Sequence, residues 1–318
     1  MAESPEISVV MGVFNNAATL SAALDSILSQ ADVELEFIVV DDGSTDGSAK
    51  ILDAAAKRDP RLKVVHKKNE GLTRALIDGC ALASAPWIAR QDADDVSLPG
   101  RLKSQLNRAR QEDVPVLIGC GALTLGPGGE TLDVHRPPAD VAAASRRVRE
   151  DGQAISPHGS ILFRRDAYER AGGYRAEFYC AQDIDLTMRL AEIGPVAAVP
   201  AVLFEYRLSP TAISGRYGTF QRAFYRLVRR AAELRRRGQP EDRLLAQAER
   251  LRRKCRHARK TDVSNFGFYY YVGSRLAADQ PGQAAGYFRR AWALRPWSAK
   301  AWLRWRQALR RAGRRGMR

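Results

Sequence analysis

The sequence predicts an α/β chain with a mostly parallel central sheet, helices on both of its faces, and a helical C-terminal region. Three observations carry this. Residues 1–100 alternate short β-branched apolar runs with segments of helical spacing. Those runs are apolar on both faces, as strands buried under two helical layers must be. From Phe220 onward the apolar residues recur almost throughout at a helical period.

Ile7–Phe14 is the first apolar run and ends in Asn15-Asn16. Thr19–Ser29 follows as a helix, with Leu20, Ala23, Leu24, Ile27 and Leu28 on one stripe. Phe37–Val40 is a second strand that runs into Asp41-Asp42-Gly43-Ser44-Thr45-Asp46. Ala49–Ala56 reads as a helix, Leu62–His66 as a strand, Gly71–Leu82 as a helix, and Trp87–Arg90 as a strand leading into Asp92-Ala93-Asp94-Asp95. Residues 115–215 are mixed: Pro115–Gly121 and Ser160–Phe163 suggest strands, Asp166–Ala171 and Asp183–Glu192 helices. Phe220, Phe224, Leu227, Val228, Ala231 and Leu234 then make one apolar stripe in an arginine-rich helix. Gly238-Gln239-Pro240 separates it from a helix over Arg243–Lys260. Phe266–Arg310 resembles a single tetratricopeptide-type hairpin, followed by a new helix at Ala299. The expected division is a catalytic-type domain over 1–215 and a basic helical region over 216–318.

Length, 318 residues, allows two domains, and 45% hydrophobic with 27% charged residues excludes a disordered or fibrous chain. The net charge of +15 is unevenly placed. Residues 1–215 carry −7, whereas 216–318 carry 28 basic against 6 acidic side chains, or +22. That asymmetry points to a polyanionic surface near the tail. Cys80, Cys120, Cys180 and Cys255 show no metal or disulfide spacing. Neither a signal peptide nor an apolar stretch of about 18 residues is present. A reducing, cytoplasmic location follows as the expectation, with peripheral attachment to the inner face of the cytoplasmic membrane left open.

In parallel sheets, ligands sit outside the carboxyl ends of the strands. The polar residues that end the strands are therefore the candidate site. Asp41 and Asp42 need water, hydrogen-bond donors or a cation, because two adjacent carboxylates are costly to bury. They suit the N–H of a uracil ring or ribose hydroxyls; an Asx-turn at an ordinary strand exit explains them equally well. Asp92 and Asp94, two residues apart on an extended segment, point to the same side. Such a pair can share Mg²⁺ or Mn²⁺ with substrate phosphates.

The segments Ile7–Gln30, Phe37–Ser48, Gly71–Gln105 and His158–Ala191, in this order, resemble the family 2 glycosyltransferases of GT-A fold over roughly residues 6–215. The resemblance implies a single-sugar, inverting transfer from a nucleotide-sugar, usually a UDP-sugar, with a divalent cation. The acceptor would be a hydroxyl of a glycan or lipid-linked molecule in bacterial surface polysaccharide or lipopolysaccharide synthesis. By the same resemblance Phe14 stacks near the base with Asn15 beside it, Asp41 and Asp42 hold the nucleoside, and Asp92 and Asp94 hold the metal. Arg74 or Arg90 faces the phosphates. Asp183, after Gln182, is the general base, and His158 and Gln182 touch acceptor or sugar. Without the resemblance, Asp183 reads first as an acid at a helix N-terminus, and His158 equally as a structural loop histidine.

The sequence departs from the family at several points. Gly12 replaces a frequent Pro, and Gln182 a Glu. Ala75-Leu76-Ile77-Asp78-Gly79 lacks the family's Arg and Asn, and no His follows Tyr206-Arg207. No Gln-x-x-Arg-Trp motif follows Asp183, which with the lack of a membrane span argues against a polymer-extruding synthase. The rival reading is a helical interaction or nucleic-acid-binding protein carrying a degenerate transferase half. The tail, however, lacks zinc spacing, a recognition helix and RNA-binding aromatics. Four of the five tryptophans lie in 216–318, and on a helix from Ala299 the residues Trp302, Trp305 and Leu309 share a face. That pattern suits docking on an anionic membrane.

Overall fold

The computed structural model describes residues 4–210, 218–257 and 265–315. The N-terminal half alternates strand and helix: β1 (Ile7–Val13), α1 (Leu20–Leu28), β2 (Leu35–Asp41), α2 (Ser48–Arg58), β3 (Leu62–His66), α3 (Leu72–Ala81) and β4 (Trp87–Arg90). After β5 (Val96–Ser97) come α4 (Arg101–Ala109), β6 (Leu117–Leu125), β7 (Thr131–His135), α5 (Val141–Arg149) and a 3₁₀ turn at His158–Ser160. They are followed by β8 (Leu162–Arg164), α6 (Arg165–Arg170), α7 (Gln182–Ile193) and β9 (Val196–Arg207). The remaining described residues are helical: α8 (Gly218–Arg236), α9 (Asp242–His257), α10 (Phe266–Leu276), α11 (Pro281–Leu294) and α12 (Ala299–Arg315). Residues 258–260, included in the expected helix over Arg243–Lys260, lie outside the described residues.

One sheet runs β3-β2-β1-β4-β8-β6-β9-β5, with β7 on β6. The first four strands are parallel, with Val13 opposite Asp41 and Val10 opposite Arg90. β8 then pairs antiparallel with both β4 and β6. The period of two is plain in β1. Ile7, Val9, Met11 and Val13 pack with Leu20, Leu24 and Ile27 of α1, whereas Val10 packs with Leu76 and Cys80 of α3 on the other face. Parallel order places the carboxyl ends of β1, β2 and β4 side by side.

The sequence reading missed α4, α5, β5, β7 and β9. α4 carries buried Arg101 and Gln105 on its inner face, so its apolar stripe is interrupted. β9 is interrupted by Pro200 and by exposed residues in its middle.

The chain forms two compact units. The first comprises Met1–Leu123, Val134–Tyr206 and Thr219–Arg256; the second comprises Thr124–Asp133, Arg207–Gly218 and His257–Arg318. Helices α8 and α9 thus group with the first unit. Phe224 is fully buried against Phe178, with ring centroids 6.3 Å apart. A charged network adds to this. Asp185 of α7 pairs with Arg175 and, at 2.6 Å, with Arg189; Arg175 reaches Glu241 at 2.8 Å; and Arg235 of α8 bonds both Glu192 and Glu241 at 2.8 Å. Burial would raise the Asp185 carboxyl, but Arg189 and Arg175 hold it below its ordinary range.

In the second unit α10, α11 and α12 pack consecutively, and Leu132 from the β6–β7 segment enters their core beside Val272, Leu276 and Phe288. Tyr287 donates to Glu130 at 2.8 Å and Arg275 to Asp133 at 2.6 Å.

Candidate active site

At the tip of β1, Phe14 is 42% exposed and offers an open ring face. Asn15 takes a left-handed conformation (φ 55), which Asn tolerates better than most residues. Its side-chain oxygen accepts from the Thr45 N–H at 2.8 Å and its own N–H donates to Ser44 Oγ at 3.0 Å, stitching β1 to the turn after β2.

Asp41 and Asp42 are 3% and 2% exposed, and each of their four carboxylate oxygens already has a protein partner. Asp41 accepts from the Ser44 N–H and bonds His66 Nδ1 at 2.9 Å. Asp42 accepts from the N–H groups of Glu70 and Gly71 at 2.8 and 2.7 Å, just ahead of α3. Both therefore also hold turns, because burial obliges each oxygen to find a donor. Burial pushes the Asp42 carboxyl up against those bonds. Arg74 is exposed on α3, near Glu70.

Arg90 is fully buried at the end of β4. Its guanidinium donates to the Val10 and Gln91 carbonyls and, at 2.6 Å, to Asp92 Oδ1. Arg90 thereby fixes the direction of Asp92. Behind that pair, Arg101 donates to the carbonyls of Arg90 and Gly159 at 3.2 and 3.3 Å and lies over the Phe204 ring; burial brings its pKa down to about 10. Gln91 is knitted to the Asp92 and Asp95 carbonyls and receives Ser97 Oγ at 2.6 Å. The 3₁₀ turn abuts Asp92 so closely that a β-carbon on Gly159 would lie 2.9 Å from Asp92 Oδ2. Only glycine fits between this turn and the carboxylate.

His158 bonds the Tyr174 hydroxyl at 2.7 Å and meets its ring edge-on. Burial, with Arg90 nearby, holds His158 neutral, well below its ordinary range. Its Nε2 is engaged inward with Tyr174 and Gln182 is buried at the start of α7.

Asp183 lies in the first turn of α7, preceded by Ala181 at φ 60. Alanine in this region is strained, and such strain collects at functional sites. Burial raises the Asp183 carboxyl, backbone N–H groups oppose this, and the charge of Asp92 raises it further. The two carboxylates are therefore electrostatic neighbours. Tyr206, to which the sequence reading gave no role, feels the same charges. Its hydroxyl is pushed up by burial and by Asp95, Asp92, Asp94 and Asp183. A cavity of about 590 Å³ opens beside Asp183, lined by Ala181, Asp183, Ile184, Gln221, Arg222, Tyr225 and Arg226.

Strand-end carboxylates, a helix-borne acid of raised pKa and the exposed Phe14 ring are the site's chemical inventory. Over residues 8–172 the chain matches the family model described as Glycosyl transferase family 2. The chain belongs to this family. As a family 2 glycosyltransferase it has relatives in biosynthesis. It is 27% identical over 217 residues to the amylovoran biosynthesis glycosyltransferase AmsE of Erwinia amylovora, covering 66% of this chain and 79% of that one. Among solved structures, S. aureus TarS 1–349 in complex with UDP superposes with a TM-score of 0.57 at 17% identity, covering 98% and 92% of the two chains. The mannosyltransferase PcManGT from Pyrobaculum calidifontis, in complex with GDP-Man and Mn²⁺, gives 0.56 at 19%, covering 94% and 89%. The fold is GT-A-like, as the motifs imply.

Among the described residues no group of three or more His, Cys, Asp or Glu forms a ready-made metal site. Asp92 and Asp94 are hard oxygen donors, and a pair of carboxylates suits a cation whose remaining ligands are phosphates and water.

Proposed function

We propose that this glycosyltransferase moves one sugar, with inversion, from a nucleotide-sugar to a hydroxyl of a glycan or lipid-linked acceptor in bacterial surface polysaccharide synthesis. The observation that carries the reading is the cavity lined by Asp183, whose carboxyl is raised by burial and by the charge of Asp92 just past the end of β4. An acceptor hydroxyl must lose its proton as it attacks. Asp183, its carboxyl raised by burial, is matched to take that proton. The new glycosidic bond forms as the bond to the diphosphate breaks on the opposite face of the sugar. A divalent cation bound by Asp92 and Asp94 would neutralise charge on the departing diphosphate. Arg90 and Arg101 hold Asp92 in place, and Phe14 stacks on the base. Asp41 and Asp42 hold the nucleoside, with Asn15 beside them, and Arg74 or Arg90 supplies positive charge toward the phosphates. Gln182 and His158 back the acceptor side, His158 through Tyr174.

UDP is the favoured nucleotide and Mn²⁺ or Mg²⁺ the cation, supported by the ligands in the solved structures that share the fold. The basic second unit docks on an anionic membrane face, supported by the exposed Trp297 and Trp302 amid the C-terminal arginines. A screen of UDP-, GDP- and dTDP-sugars, with and without Mn²⁺, tests the assignment. Asp94→Ala should lower turnover by several orders of magnitude at unchanged thermal stability. Wild-type turnover in EDTA would show that no metal is used.

A further inference from the structure

The cavity beside Asp183 has walls of opposite charge. Asp183 and Ala181 stand on one side. Gln221, Arg222, Tyr225 and Arg226 stand on the other, all from α8. Residues 222 and 226 are one helical turn apart, so both guanidinium groups project from the same face. Other arginines of this helix are occupied: Arg229 donates to the Asp151 carbonyl at 2.7 Å and Arg235 pairs with Glu192 and Glu241. Among the described residues, no carboxylate pairs with Arg222 or Arg226. Their scaffold is fixed, because Tyr225 donates to the Gly152 carbonyl at 3.1 Å and Phe224 is fully buried.

We propose that this cavity is the acceptor subsite, and that Arg222 and Arg226 bind an oxyanion carried by the acceptor next to the hydroxyl that Asp183 deprotonates. The proposal rests on Asp183 as the general base. Two forked guanidinium groups give bidentate recognition of a phosphate or a carboxylate. The site also needs them. Asp183 and its acidic neighbour Asp92 repel an anionic acceptor, and two adjacent cations offset that repulsion while leaving neutral sugars without their main contact. At about 590 Å³ the cavity has room for a sugar ring and its substituent.

The experiment uses full-length protein saturated with UDP and Mn²⁺, so that the donor site is filled. Calorimetric titration compares glucose 6-phosphate, glucuronate and methyl glucoside. At least one anion should bind tenfold or more tightly than the neutral sugar. That preference should collapse to near unity in Arg222→Gln/Arg226→Gln and survive in Arg222→Lys/Arg226→Lys. It should also survive in Arg243→Gln/Arg250→Gln, which removes the same charge from exposed positions on α9. Preference for the phosphate assigns a phosphate ester, and preference for glucuronate assigns a uronate. Equal binding of neutral and anionic sugars overturns the proposal, as does anion binding that survives Arg222→Gln/Arg226→Gln. Loss of UDP affinity in that variant with anion binding intact also overturns it, by giving the arginines to the donor. The initial UDP titration reads the transferase assignment separately: a protein that binds no UDP fails that assignment, while the wild-type-to-variant comparison of anions still reads the cavity.

Discussion

Asp183 gains its proton affinity from the same compactness that buries it. In Asp183→Asn the shape stays and the basicity goes, so donor binding should persist while kcat falls by roughly 10²–10⁴. A variant that transfers sugar normally would reduce Asp183 to a helix cap. Its pH dependence has a definite sign. If Asp183 is the base, as proposed, its charged form is the active one, and with its pKa raised the acid limb of kcat/KM should lie above the ordinary aspartate value of about 3.9. Activity should be lost as pH falls through that limb, and Asp183→Asn should abolish the limb. The candidate acids were legible because strand ends and a helix start advertise them. Arg101, Gln105 and Tyr206 were not legible. A buried polar side chain reads in sequence like a solvated one, and only the fold shows that Arg101 reaches the carbonyls of Arg90 and Gly159.

At the scale of elements, α7 is held by charge as much as by apolar contact. Asp185→Asn would leave Arg175 and Arg189 without their shared carboxylate, and breaking such a buried pair costs about 3–5 kcal/mol. Chemical denaturation should show that loss, with α8 loosening together with α7. A second clamp joins β1, β2 and β3. Glu36 accepts from Ser8 at 2.7 Å, Lys63 at 2.7 Å and Ser84 at 2.6 Å. Burial raises its carboxyl, but these bonds outweigh burial and hold it at about 2. A depressed acid stabilises the fold above its unfolded value of about 4.3 and loses that contribution as pH falls toward 2. Glu36→Gln should therefore cost about 2 kcal/mol at pH 7 and nearly nothing at pH 2, measured by urea unfolding at both. Strand and helix identities in residues 1–100 were readable because both faces of β1 and β2 are apolar. Elements with mixed faces, such as α4 and β9, hid their period.

For the whole molecule, charge is the coarse variable. The sequence placed Trp302, Trp305 and Leu309 on one outward stripe. The structure separates them. Trp305 stacks on Trp292, centroids 5.6 Å apart, because its face of α12 closes the helical core, while Trp297 is 81% exposed and Trp302 and Leu309 46% each. Full-length protein should sediment with liposomes containing anionic lipid at low salt and release at high salt. Trp297→Ala/Trp302→Ala should weaken this several-fold, and no sedimentation at low salt would leave the second unit without a membrane role. No described helix is long and apolar enough to cross a membrane. The motif order revealed the family, but the grouping of α8 with the first unit was hidden. An arginine-rich helix with an apolar stripe looks independent until its ion pairs and Phe178 partner are seen.

The entry of Leu132 into the helical core of the second unit, with Glu130 and Asp133 bonded to its helices, bears on how such proteins can be recombined. The chain passes between the two units five times. A chimera that swaps only the C-terminal helices of two relatives would pair each core with a foreign β6–β7 segment. Leu132 would lose its Val272 and Leu276 neighbours, and Glu130 its Tyr287 donor. Functional grafts must therefore carry residues 124–133 along with the tail, so the tip of a strand pair in the middle of the gene and the helices at its end are inherited as one piece.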